Sequence, residues 1–166
     1  MSAPIAIRDA TRDDVGLLYS MVQALAEYER APELVLGTAA MLEQSLFGPD
    51  PAAEAVIAVL DSEAAGFALF YTTFSTWRCR PGLWLEDLFV SPAHRRGGVG
   101  SALLTHVARI AVERDYPRME WSALEWNESA LRFYASIGAT TLDEWRMLRL
   151  DDHALQRVGG DSQPVR

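Results

Sequence analysis

The 166-residue sequence contains no lysine; all 15 of its basic residues are arginine. Cys79 is the only cysteine, so no disulfide can form within the chain. The histidines His94, His106 and His153 show no metal-ligand spacing, and no metal site is expected. No apolar run reaches the ~20 residues of a membrane-spanning helix, and the first residues lack the apolar core of a signal peptide. Basic groups are outnumbered 23 to 15, for a net charge of −8, which opposes general binding to nucleic acid or anionic membrane. Neither a repeat nor a linker interrupts the chain. These absences predict a soluble, cytoplasmic, single-domain protein with no metal, nucleic-acid or membrane partner.

What is present is a core. Hydrophobic residues make up 49% of the chain, enough for one buried interior at this length. A short alternating stretch, 5–10, reads as a strand. Thr11, with Asp14 three residues on, opens a helix whose apolar side carries Val15, Leu18, Val22 and Leu25 and which ends at Pro32. Thr38 caps a second helix over 39–47. Segments 54–61 and 65–76 read as a hairpin, and 82–90 as a third strand in succession. From Val99 the apolar period becomes helical. A strand over 118–126 follows, then a helix between Asn127 as N-cap and Gly138 as stop, then a last strand over 144–150. The domain is predicted to span 1–152, with a partly disordered tail over 153–166 that frays at its polar end, "GGDSQPVR". The element order, β-α-α-β-β-β-α-β-α-β, is mixed α/β.

The junction "HRRGGVG" between the third of these strands and its helix is suited to an anion. A P-loop is excluded, because no lysine is available. A dinucleotide fingerprint is excluded too, because Leu103 stands where its third glycine belongs. What remains is Arg-x-x-Gly-x-Gly at Arg95, Gly98 and Gly100. Glycines at 97, 98 and 100 allow successive N–H groups to converge, the helix start adds unsatisfied amides and its positive dipole end, and Arg95 and Arg96 add charge. A diphosphate fits this pattern; a glycine turn with solvated arginines fits the short motif equally well.

With the flanking segments "LAEYE", "LWLEDLFV", "RRGGVGSALL", "EWNESALRFYASIGA" and "EWRMLRL" in order, the chain resembles the GNAT family of N-acetyltransferases. Among them it is most similar to diamine (spermidine/spermine) and thialysine N-acetyltransferases. The resemblance extends from the first strand to Leu150. It implies a central, mostly antiparallel mixed sheet of about six to seven strands with about four helices, opened by a splay between the fourth and fifth strands. It also implies acetyl-coenzyme A as co-substrate, a small-molecule primary amine as acceptor, and a homodimer. Arg95, Arg96, Gly97, Gly98, Val99, Gly100 and Ser101 would hold the diphosphate. Leu88, Phe89 and Val90 would pair through their backbone with the pantetheine arm, and Asn127 would contact the cofactor while capping its helix.

Acetyl transfer to an amine needs a neutral amine and a protonated leaving thiolate. An alkylamine of pKa ~10.4 costs about 4.5 kcal/mol to deprotonate at pH 7, so a base is expected nearby. Glu86 and Asp87 occupy adjacent strand positions and are expected on opposite faces; the residues alone do not decide which acid serves. The resemblance selects Glu86, acting through water. It also makes Tyr134, otherwise readable as a core aromatic on its helix, the general acid for the thiolate. Tyr28, Glu29, Glu86 and Trp121 match or suit an amine site, with Glu125 adding negative potential. The segment "TTLDEW" is shorter and less acidic than in the most similar enzymes, so a short diamine or a lysine-like amino acid stands beside a polyamine as the expected acceptor. Two other readings share the pattern: acetylation of a protein lysine or N-terminus, and a non-catalytic acyl-coenzyme A sensor.

Overall fold

Alternating apolar residues with tight turns between them build the predicted succession of strands. In the computed structural model, which describes residues 4–160, β2 (Glu54–Leu60), β3 (Glu63–Ser75) and β4 (Arg80–Val90) form an antiparallel meander. β1 (Ala6–Asp9) adds antiparallel to β2, and β5 (Met119–Glu120) adds parallel to β4, for a sheet ordered β1-β2-β3-β4-β5. The chain divides into two units, Met1–Ser122 and Ala123–Arg166, and the whole sheet belongs to the first.

Each face of the sheet is covered because each carries apolar side chains. On one face Ala55, Ile57, Phe67 and Phe89 pack with Leu18 and Met21 of α1 (Val15–Tyr28) and Leu46 of α2 (Ala39–Phe47). Phe67 is fully buried, its ring 6.2 Å from that of Phe89. α3 (Val99–Glu113) packs on β2, β3 and β4, burying Leu103, Leu104, Val107 and Ala111. The helix starts follow their caps. The backbone N–H of Thr11 donates to Asp14 at 2.8 Å, closing the 3-10 turn Arg12–Asp14 that feeds α1. Arg8 grips the same carboxylate through two bonds of 2.7 Å and holds its pKa well below the usual carboxylate range. Thr38 accepts from the Met41 N–H at 3.3 Å.

In the second unit, α4 (Glu128–Ser136) begins where the Asn127 side chain accepts from the Ala130 N–H at 3.3 Å. It ends at Gly138, whose φ of +89° lets the N–H groups of Gly138 and Ala139 turn back onto the carbonyls of Ala135 and Tyr134. α5 (Asp152–Gly160) occupies the first part of the predicted C-terminal tail; the remainder of that tail, 161–166, lies outside the described residues.

Three expectations change. The strand predicted over 118–126 contracts to Met119–Glu120, which pair only with Leu83 and Trp84. Residues 144–150 enter no ladder: an alternating pattern makes a strand only where a neighbour supplies hydrogen bonds. The sheet therefore has five strands among the described residues, in place of six to seven, and five α-helices accompany it in place of four.

Candidate functional site

The register of β3 against β4 slips by one residue at the centre of the chain's most acidic strand segment. Phe70 faces Leu85 and Leu69 faces Asp87, so Glu86 is the extra residue of a β-bulge. A bulge suspends the two-residue alternation of a strand. Directly paired residues share a face, which places Trp84 with Tyr71 and Asp87 with Leu69, all on the α1–α2 side. Glu86 joins them: the Trp84 Nε1–H donates to Glu86 Oε2 at 2.8 Å. The expectation that Glu86 and Asp87 point to opposite faces is thus overturned by one inserted residue.

The result is a concentration of negative charge. Glu86 is exposed and Asp87 half-buried. Burial, then the charges of Glu86 and Glu29, push the Asp87 carboxyl up to about 6. Glu29, just past the end of α1, is raised by burial as well. Burial also raises the Tyr71 hydroxyl, with the charge of Glu86 and a hydrogen bond to it adding to the shift. Carboxylates crowded in this way are stabilised by a cation arriving among them. Asp87 stands in the sequence as the alternative to Glu86, whereas Tyr71 carries no sequence signal; the meaning of the "ED" pair depended on the bulge.

The bulge also opens the sheet. A bulged strand bends and twists more strongly, and the last β4–β5 pair, Trp84 with Glu120, lies immediately before it. From Leu85 to Val90, β4 has no described strand on that edge. Leu88, Phe89 and Val90 are therefore on a free edge, as a ligand pairing with their backbone requires. Trp121 is half-buried, one residue beyond β5.

β4 leads into the glycine-rich loop and thence into α3. The first intrahelical bond runs from the Ala102 N–H to the Gly98 carbonyl at 2.9 Å, so the amides of Val99, Gly100 and Ser101 have no acceptor within the helix. Arg96 (φ +66°) and Gly98 (φ +84°) both adopt the left-handed conformation, which curls successive amides toward one point. A Cβ added at Gly97, Gly98 or Gly100 would meet no protein atom closer than 3.4 Å, 3.9 Å or 3.5 Å. Packing within the described protein does not demand glycine at 97 or 100. Arg95 differs from its neighbours: its guanidinium lies over the Tyr28 ring, 4.4 Å from the centroid, and its Nε–H donates to the Val90 carbonyl at 3.2 Å.

Tyr134 and Asn127 belong to the second unit. Tyr134 lies on α4 with its ring 5.4 Å from that of Phe133, and burial raises its pKa, which keeps the phenol protonated. Asn127 is the N-cap of the same helix.

Comparison with known proteins gives a consistent picture. A profile of the acetyltransferase (GNAT) family matches residues 18–139. The sequence is 30% identical over 169 residues to the thialysine N-epsilon-acetyltransferase of Sus scrofa, covering 95% of this chain and 99% of that protein. It is 28% identical over 197 residues to an L-ornithine N5-acetyltransferase of Arabidopsis thaliana, covering 92% and 86%. A solved integron cassette protein from the mobile metagenome of V. cholerae superposes with a TM-score of 0.78 at 25% identity, over 97% of this chain and 99% of that one.

Proposed function

The chain belongs to the acetyltransferase (GNAT) family, and from that premise we propose that it transfers the acetyl group of acetyl-coenzyme A to a primary amine of a small, lysine-like or diamine molecule. The observation that carries the acceptor class is the bulge at Glu86, which puts Glu86 and Asp87 on one face within reach of the charge of Glu29. A cationic amine is the partner that face attracts. The thialysine and ornithine acetyltransferases among its relatives act on acceptors of this kind.

Each residue then has a task. Acetyl-coenzyme A supplies the acyl group as a thioester. The amides of Gly98 through Ser101, the helix dipole of α3 and Arg96 hold its diphosphate. The free edge at Leu88, Phe89 and Val90 pairs with the pantetheine amides, and about 13 Å of strand between Glu86 and Val90 leaves room for that arm. Glu86, its carboxylate fixed by Trp84, takes the amine proton through water. Asp87 and Glu29 supply the potential that draws the amine in, while Tyr28 and Trp121 flank it. Tyr134, kept as a phenol, donates its proton to the departing thiolate; Asn127 fixes the start of the helix that carries it and contacts the cofactor.

The exposed hairpin tip, where Phe74 is 63% and Trp77 87% accessible, supports a homodimer. The free thiol of Cys79 suits a reducing, cytoplasmic setting. No described helix is long and apolar enough to cross a membrane.

The test is release of free thiol from acetyl-coenzyme A against a panel of thialysine, ornithine, lysine, short diamines, spermidine and a lysine-containing peptide. Turnover concentrated in the small amino acids and diamines is expected. Turnover of the peptide alone, or binding of acetyl-coenzyme A with no acceptor at all, would overturn the proposal.

A further inference from the structure

The diphosphate reading counts Arg95 among the positive charges of the loop, yet the side chain is already engaged. Its guanidinium carbon lies over the Tyr28 ring, 4.4 Å from the centroid, and its Nε–H is committed to the Val90 carbonyl. Those two partners come from different parts of the site. Tyr28 is the last residue of α1, adjacent to Glu29, whose charge reaches Asp87. Val90 is the last residue of β4, on the edge where the loop begins. One planar group therefore ties the end of the amine-facing helix to the root of the anion-binding loop.

A guanidinium uses its face for an aromatic ring and its edge for hydrogen bonds, so the two uses do not compete. With the group held over Tyr28 and Nε bound to Val90, the terminal nitrogens remain to meet an anion. An anion in the loop that engages this edge fixes the plane of the group, and thereby the ring beneath it. The same restraint runs in reverse: an amine that settles Tyr28 and Glu29 fixes the plane on which the anion's contacts depend. Linkage requires the two effects to be equal.

We propose that Arg95 is a positioning residue that couples the two substrates, so that occupancy of the 95–101 loop tightens binding of the amine and the amine tightens binding of the coenzyme. This inference rests on the acetyl-transfer reading, because it concerns that reaction's two ligands. It differs from a charge-only role for Arg95, which a lysine would fulfil equally well.

The experiment is calorimetric titration of coenzyme A, which cannot transfer, with and without a saturating amount of the amine turned over fastest in the panel. The ratio of the two dissociation constants is the coupling. In the unmodified protein it should be about 5-fold or more. In Arg95→Met, Arg95→Lys and Tyr28→Leu it should fall by at least about threefold, the scale of one cation–π contact. Tyr28→Phe, which keeps the ring, should retain it. Melting temperatures identify any variant that loses its fold, and the lysine and phenylalanine variants keep the question answerable in that case. A folded Arg95→Lys or Tyr28→Leu protein with undiminished coupling, or no coupling in the unmodified protein, would overturn the inference while leaving the reaction intact. Failure of the unmodified protein to bind coenzyme A would defeat the acetyl-transfer reading itself, and this inference with it.

Discussion

Asp87→Asn should make the protein more stable and a poorer catalyst, with a pH dependence that identifies the cause. The native carboxyl is pushed up to about 6, chiefly by burial and then by Glu86 and Glu29, against ~3.9 for an unfolded aspartate. Between those values the native state binds more protons than the unfolded one. Stability therefore falls as pH rises from about 4 through about 6. The full separation corresponds to about 3 kcal/mol, and partial solvent access reduces it to about 2 kcal/mol. Asparagine has nearly the same shape and no charge, so it escapes this penalty. At pH 8 its melting temperature should exceed that of the unmodified protein by about 4–8 °C, using ~2–4 °C per kcal/mol for a chain of this size. At pH 4 the difference should nearly vanish. The same substitution should weaken amine binding and remove the limb of the pH–rate profile that falls away below about 6. Thermal unfolding across this pH range is the decisive assay. A difference in melting temperature that is independent of pH, or a variant less stable at pH 8, would show that Asp87 is not an ionised group crowded by its neighbours.

Tyr134→Phe should lower kcat by about 10²–10⁴-fold, the usual worth of a positioned proton donor, with the affinity for acetyl-coenzyme A little altered; steady-state kinetics beside calorimetry would check both. Gly98→Ala places a side chain at φ +84°, where the nearest protein atom to the new Cβ is 3.9 Å away. The cost there is conformational, about 1–2 kcal/mol, and coenzyme affinity should drop with it; an alanine variant that binds normally would show that the left-handed turn is dispensable. Phe67→Ala opens a void in the α1–α2 face of the core and should cost about 3–5 kcal/mol, measured by denaturant unfolding.

Local features of the chain were legible because their causes are local. The caps at Thr38 and Asn127 and the stop at Gly138 sit where their side chains and φ preferences place them. The succession β2-β3-β4 follows from alternation and short turns. The glycine-rich loop was recognisable because glycine spacing and a following helix are both written in consecutive residues. The strands expected at 118–126 and 144–150 failed for the opposite reason. Their patterns are strand-like, but a strand is a relation between two segments, and only Met119 and Glu120 found a partner in the sheet.

The sequence by itself determined the loop, the helix that opens from it, the antiparallel order of the central strands and the family to which they belong. Each of these depends on residues close together along the chain or on patterns repeated over one element. Tertiary structure alone decided that Glu86 and Asp87 share a face and that Arg95 lies over the Tyr28 ring. The first depends on a one-residue slip between β3 and β4, which no periodicity within β4 records. The second depends on where the end of α1 comes to rest against the end of β4, a position fixed by packing of the core between them.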